Sequence, residues 1–415
     1  MTSTPLPATS NRMLYRICLC LSLLAPVWGG VTAARAEGAN DLRLSASIGL
    51  IHDSNLFRLP SGINLLPVLG RSSATETINL TSLGLNYQRS YSLQKVEFDV
   101  NVSDYRYRNF GYLSFLATNY RAAWDWSYTP HLYGRISTSR EQSLNSFTDF
   151  SGFNQRNVRQ QTRTGFDATY ELDARWRLKA GLSRNSLENS QLVTGIADYN
   201  QNTIEAGVQY VMPSGSSARY RLASTDGNYT SNRTFPSAGF YDVGFTQTDN
   251  ELRANWAISR DTSAEFMLGL RNRSHPNYPQ RDFSGTTGSA NLRWTYSGKS
   301  ALVAGWTREL GAYETNDFNY SQTDRFSIGP IWQVSPKATV QLQLAHAIRN
   351  YKGTPFGVVT AQRRDTTNDA SISVNWEPYR FLLLSASLQN ARRSSTAPGL
   401  DYTSNMININ AQFSY

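Results

Sequence analysis

Pairs of alternating segments joined by a tight turn recur roughly every 40 residues along this chain, a repeat that confines it to architectures built from antiparallel hairpins. Turn candidates fall near Ser90-Tyr91, Thr129-Pro130, Asp173-Ala174, Pro213-Ser214-Gly215, Ser259-Arg260-Asp261, Ser297-Gly298-Lys299, Ser335-Pro336-Lys337 and Glu377-Pro378. Short β-turns need such residues, Pro for its fixed φ, Gly for positive φ, Ser and Asp for side chain-to-backbone hydrogen bonds. Longer polar loops lie between them, among them Ser143 to Asn157, Tyr229 to Asp242, Asn272 to Ser284 and Tyr351 to Arg364. Eight short turns alternating with nine longer loops predict 18 strands, with both mature ends on the side of the short turns.

Within each segment the side chains sort by parity, since successive residues of a strand face opposite sides. From Ile407 onward, Ile407, Ile409, Ala411, Phe413 and Tyr415 share one face and Asn408, Asn410, Gln412 and Ser414 the other; Met406 fits neither set well. That segment alone also suits an edge strand of a soluble β-sandwich. Two further patterns favour a membrane barrel. Trp126, Tyr128, Trp176, Tyr210, Trp256, Trp294, Tyr296, Trp332 and Trp376 all lie near a short turn with the parity of the apolar face, as in the aromatic girdle of a transmembrane barrel. The opposite face is too charged for a dry core: Arg175, Arg177 and Lys179 oppose Trp176, Leu178 and Ala180, and Glu97 and Asp99 oppose Val96, Phe98 and Val100. Burying so many ions costs several kcal/mol each, whereas about 18 strands leave room for a water-filled lumen. The predicted fold is therefore all-β, an antiparallel up-and-down barrel over residues 37–415, closed by the last strand against a first strand near Leu42 to Ile51.

Arg12 and Arg16 precede the apolar run Ile17 to Trp28, and Ala34-Arg35-Ala36 offers small residues two apart, so residues 1–36 read as a signal peptide cleaved before Glu37. The run is too short to span a bilayer, and Ile17-Cys18-Leu19 before Cys20 is not a lipoprotein signal. Both cysteines fall in that leader, which leaves the mature chain without disulfides, zinc-thiolate sites or a cysteine nucleophile. The 40 basic residues less Arg12, Arg16 and Arg35, against 31 acidic ones, leave a net charge of +6. With no concentrated Lys/Arg run, that balance gives no nucleic-acid signal. A mean hydropathy of -0.45 together with the absence of any later long apolar stretch excludes a helical membrane protein and is compatible with a barrel.

Little in the chain suggests catalysis. His52 adjoins Asp53, and a general base needs an orienting carboxylate, which would make an outer-membrane hydrolase; neighbours on a strand, however, face opposite ways. His131, His275 and His346 stand apart, no Walker or dinucleotide glycine loop and no His-x-x-x-His site occurs, and no cofactor is expected. The inward parity instead collects Arg135, Arg175, Arg177, Arg219, Arg221, Arg253 and Arg293 with Tyr105 and Tyr133, offset by Glu97, Asp99, Asp125, Asp167, Glu171, Glu205 and Glu265. These line a candidate path for a general or sugar-selective uptake porin, or for an acidic polymer.

Asp53-Ser54-Asn55-Leu56-Phe57-Arg58 leaves the first strand as a turn anchored by Leu56 and Phe57, with Pro60 ending any pairing. The stretch resembles the EpsL-like outer-membrane proteins of exopolysaccharide gene clusters, including exosortase-associated ones; Asp53, Asn55, Leu56, Phe57 and Arg58 carry that motif. The resemblance extends to the overall length, the signal peptide and the hairpin-built chain. It implies a barrel in the outer membrane of a Gram-negative bacterium that takes part in exopolysaccharide export, with the polymer and periplasmic export proteins as partners. Phe413 and Tyr415 likewise resemble the C-terminal signal read by the outer-membrane barrel-assembly machinery.

Overall fold

A computed structural model describes residues 41–148, 154–191, 198–230, 242–312, 318–353 and 362–415. The expected signal peptide and its cleavage site lie outside the described residues, as do parts of several long loops.

Eighteen strands form in chain order: β1 (Asp41–Asp53), β2 (Glu76–Tyr91), β3 (Gln94–Tyr107), β4 (Phe115–Thr129), β5 (Leu132–Leu144), β6 (Val158–Glu171), β7 (Trp176–Asn189), β8 (Tyr199–Val211), β9 (Ser217–Tyr229), β10 (Gly244–Ala257), β11 (Thr262–Ser274), β12 (Phe283–Ser297), β13 (Ser300–Ala312), β14 (Tyr320–Ser335), β15 (Ala338–Lys352), β16 (Arg364–Tyr379), β17 (Leu382–Ser395) and β18 (Tyr402–Ser414). Each pairs antiparallel with its sequence neighbours, and β18 returns to β1 in a register running from Ser45 opposite Ser414 to Asp53 opposite Met406. The sheet is thus a closed up-and-down barrel, which leaves no unpaired edge. Tyr415 completes the closure by exchanging backbone hydrogen bonds with Leu44 at 2.8 and 2.9 Å.

Eight connections are two to five residues long and all lie at one end. Local chemistry makes them. The Asp173 carboxylate accepts the N–H groups of Arg175 and Trp176 at 2.7 Å, which holds its pKa below the usual carboxylate range, and Gly215 turns the chain with φ of +84°. The first turn lies at Ser92 and Leu93 rather than at Ser90-Tyr91, since Tyr91 still pairs with Gln94.

Parity decides the two surfaces. Ile48, Leu83, Ile204 and Leu268 sit in mid-strand and are more than 60% exposed. An apolar band of this kind circling the barrel is satisfied only by hydrocarbon. Near the short turns Trp176, Trp256, Trp294, Trp332, Trp376 and Tyr415 point outward as expected. At the other end the outward positions turn polar, with Asn368, Asn390, Asn405 and His346 bonded in pairs at 2.7 Å. Met406 faces inward and Ile407, Ile409 and Phe413 face outward.

The one dry core of the described residues lies at the long-loop mouth. Leu56, Phe57 and Leu59 leave β1, turn inward and pack on Ile78, Tyr107, Phe110, Leu113, Leu144 and Phe147. The Phe57 ring meets Phe110 edge-on and Phe147 at a tilt, both at 4.7 Å between centroids, a preferred aromatic geometry.

Candidate functional site

The inward face carries two clusters of charge, one under the mouth and one along the wall. At the mouth, Asp53 is buried and accepts hydrogen bonds from Arg58 Nη1 at 2.8 Å, from the Asn55 backbone N–H at 2.9 Å and from Ser404 Oγ on β18 at 2.7 Å. Asn55 Nδ2 donates to the carbonyls of Leu59 (2.8 Å) and Thr403 (3.0 Å). Arg58 sits at φ +55°, a left-handed conformation uncommon for a residue with a Cβ, and its guanidinium also reaches the Asn55 carbonyl. The stretch singled out in the sequence is therefore a latch: it folds the first long loop inward and ties β1 to β18 across the closing seam. The loop's other end is fixed by Glu76, wholly buried, whose carboxylate accepts the backbone N–H groups of Thr77, Asn109 and Phe110 between 2.6 and 3.1 Å.

Along the wall, basic and acidic residues of shared parity form a ladder. Arg219 contacts Glu205 at 3.0 Å, Arg221 contacts Glu205 at 2.6 Å and Glu251 at 3.2 Å, and Arg253 contacts Glu251 at 3.8 Å. Gly181 makes room for it, since a Cβ there would lie 2.8 Å from Glu205 Cγ. Arg271 continues the ladder to Asp249 at 2.7 Å. On the other side, Arg135 bridges Glu97 (2.6 Å) and Asp125 (3.2 Å), Arg177 meets Glu171 (3.0 Å), and Tyr133 donates to the same carboxylate (2.8 Å). Arg163, Lys179 and Arg293 share the inward parity and have no carboxylate within ion-pair distance among the described residues, and inward Asp99, Asp167 and Glu265 likewise have no basic partner at that range.

One inward expectation needs correction. Arg175 belongs to the short turn after β6; it is exposed, and its guanidinium approaches the hydroxyl of outward-facing Tyr210 at 3.4 Å instead of lining the lumen. Strand parity does not extend into a turn. Tyr105 does point inward, but its ring is stacked on Phe115 at 4.8 Å, which leaves one face covered. Glu251, Asp249 and Arg271 were missed in the sequence, although Glu251 lies two residues before Arg253 and so shares its face. His52 bonds Thr77 Oγ1 on the outer face at 3.0 Å while Asp53 points inward, so the two do not form a dyad.

Outside the strands, Asp242 is buried under the Asn277 loop. Burial pushes its carboxyl up, but the N–H groups of Asn277, Val243 and Tyr278 and the Asn277 amide more than offset this, and its pKa is lowered.

A family model described as "Putative beta-barrel porin 2" matches residues 253–415. Among solved structures, the chain is similar to Pseudomonas aeruginosa OccK1 (OpdK), with a TM-score of 0.52 at 12% identity over 90% of this chain and 99% of that one. Pseudomonas aeruginosa OpdQ gives 0.52 at 12% identity over 91% and 100%. The protein is an outer-membrane β-barrel with the fold of these porins. No curated protein matches its sequence. At such identities the likeness to the solved porins is one of fold, and the charges that line this outer-membrane barrel are argued from its own residues.

Proposed function

We propose that this barrel admits small anionic organic solutes through its lumen. The ladder of Arg219, Arg221 and Arg253 carries the reading: these guanidiniums are held in place by Glu205 and Glu251, next to the inward charge of Lys179. Pre-positioned guanidiniums match a carboxylate bidentately. One neighbour, OpdK, has been solved with vanillate, which supports a carboxylate as the solute class. In planar bilayers under a salt gradient, the wild-type chain is expected to be anion-selective. The Arg221→Gln/Arg253→Gln variant is expected to lower the chloride-to-potassium permeability ratio about threefold. An unchanged reversal potential would remove the ladder from the path.

A second reading, participation in exopolysaccharide export, is favoured by the Asp53 to Arg58 stretch, which builds the mouth. Deleting the gene in a polymer-producing strain should then lower surface polymer and leave it in the periplasm, with recovery on restoring the wild-type chain. Unchanged surface polymer would leave only the solute channel.

A further inference from the structure

The inner wall is chemically two-sided. From β3 to β11 its inward positions are dense in charge, with cations and carboxylates side by side, as in Arg135 with Glu97, Arg221 with Glu205 and Glu251, and Arg271 with Asp249. From β15 through β18 to β1 the inward positions below the mouth are different. Gln341 and Gln343 on β15, Gln389 on β17 and Asn408 and Asn410 on β18 all share the lumen parity. Small inward neighbours separate them: Ser373 opposes both Gln341 and Ser387, Ser387 in turn opposes Asn408, and Gly49 opposes Asn410.

These five amides are half-buried, and among the described residues none of their side chains hydrogen-bonds to protein. Each carries one acceptor oxygen and two N–H donors without a protein partner, and the Asn410 oxygen leans over Gly49, 3.2 Å from where a Cβ would stand. The small neighbours leave space above the sheet that longer side chains would fill. Along a strand, alternate residues lie about 6.7 Å apart, and neighbouring strands about 4.8 Å apart, so the amides form a two-dimensional grid of donors and acceptors. Ions gain little from such a surface. A molecule carrying many hydroxyls gains most, since a hydroxyl both donates and accepts and can exchange partners from one amide to the next without desolvating a charge.

We infer that the β15–β18–β1 wall is a track for uncharged, hydroxyl-rich chains, a binding surface for neutral oligosaccharides separate from the basic ladder on the facing wall. The inference rests on the lumen being a conducting path, and it adds a second solute class to that path. The two walls serve different chemistry: the ladder sets charge selectivity, and the amides slow and guide neutral sugar.

Single-channel recording of the purified full chain in planar bilayers, with maltohexaose as the probe, tests it. The wild type is expected to show reversible current interruptions whose frequency rises with maltohexaose concentration. Asn408→Leu/Asn410→Leu is expected to weaken this block about tenfold. Because two leucines in β18 risk impairing assembly, Asn408→Asp/Asn410→Asp keeps the side-chain shape while removing the amide donors, and the same weakening is expected. Arg221→Gln, by contrast, should alter the reversal potential and leave the block unchanged. A wild-type channel that conducts salt but is not interrupted by maltohexaose overturns the inference and leaves the solute channel standing, as does block of equal strength in both amide variants. A chain that inserts as a folded barrel yet conducts nothing overturns both.

Discussion

Replacing Arg58 by Met is expected to free the first extracellular loop while the barrel stays assembled. Asp53 and Arg58 are each about 95% or more withdrawn from solvent and lie 2.8 Å apart, so removing the guanidinium strands a carboxylate beside the Leu56–Phe57 cluster. Breaking a buried pair from one side costs about 3–5 kcal/mol. That loss falls on the loop, because the hydrogen bonds of β1 to β2 and β18 are untouched. A local opening equilibrium shifted by this much raises the open population roughly a hundredfold or more. Trypsin cleavage at the exposed Arg71, measured on cells displaying the protein, should accelerate accordingly, with heat-modifiable migration unchanged. The Asp53→Asn/Arg58→Met pair should cost less than Arg58→Met alone, since no charge is then left unpartnered. Equal cleavage in wild type and Arg58→Met would show that the latch does not hold the loop.

The second large effect concerns the outer face. Leu268 stands in the middle of β11, 63% exposed, paired laterally with Leu252 and Gly288. Arginine at a lipid-facing position near the bilayer midplane costs about 2–4 kcal/mol. Leu268→Arg should lower the unfolding free energy in lipid vesicles by that amount. Ser289→Arg, which places the same side chain on the inward face opposite Met267 and Thr307, should stay within about 1 kcal/mol of wild type. If the two variants lost equal stability, the assignment of faces would be wrong.

The contrast between these sites follows from what parity can and cannot encode. Trp176 outward with Arg177 inward, and Ile409 outward with Asn410 inward, are consequences of the period of two in a strand, a property of consecutive residues. The partner of each inward charge depends on register instead. Sliding β9 by two residues against β10 would keep Arg219 and Arg221 inward yet separate Arg221 from Glu251, so no reading of one strand could identify that pair. Arg175 shows the boundary of the rule, for its backbone leaves the pleat and takes its side chain outward. The motif residues Asp53 to Arg58 were visible as a group, but their contacts with Ser404 and Thr403 join positions about 350 residues apart.

By itself the sequence determined the number of strands, which end carries the short turns, and which face of each strand meets lipid, since all three are written in local alternation and turn chemistry. Only the tertiary structure decided that the first loop folds into the mouth, that its motif fastens the closing seam, and that the paired charges of β8 to β11 stand across the lumen from the amides of β15 to β18. Those features require residues far apart in the chain to be brought level by the register of a closed sheet, and register is a collective property of all 18 pairings.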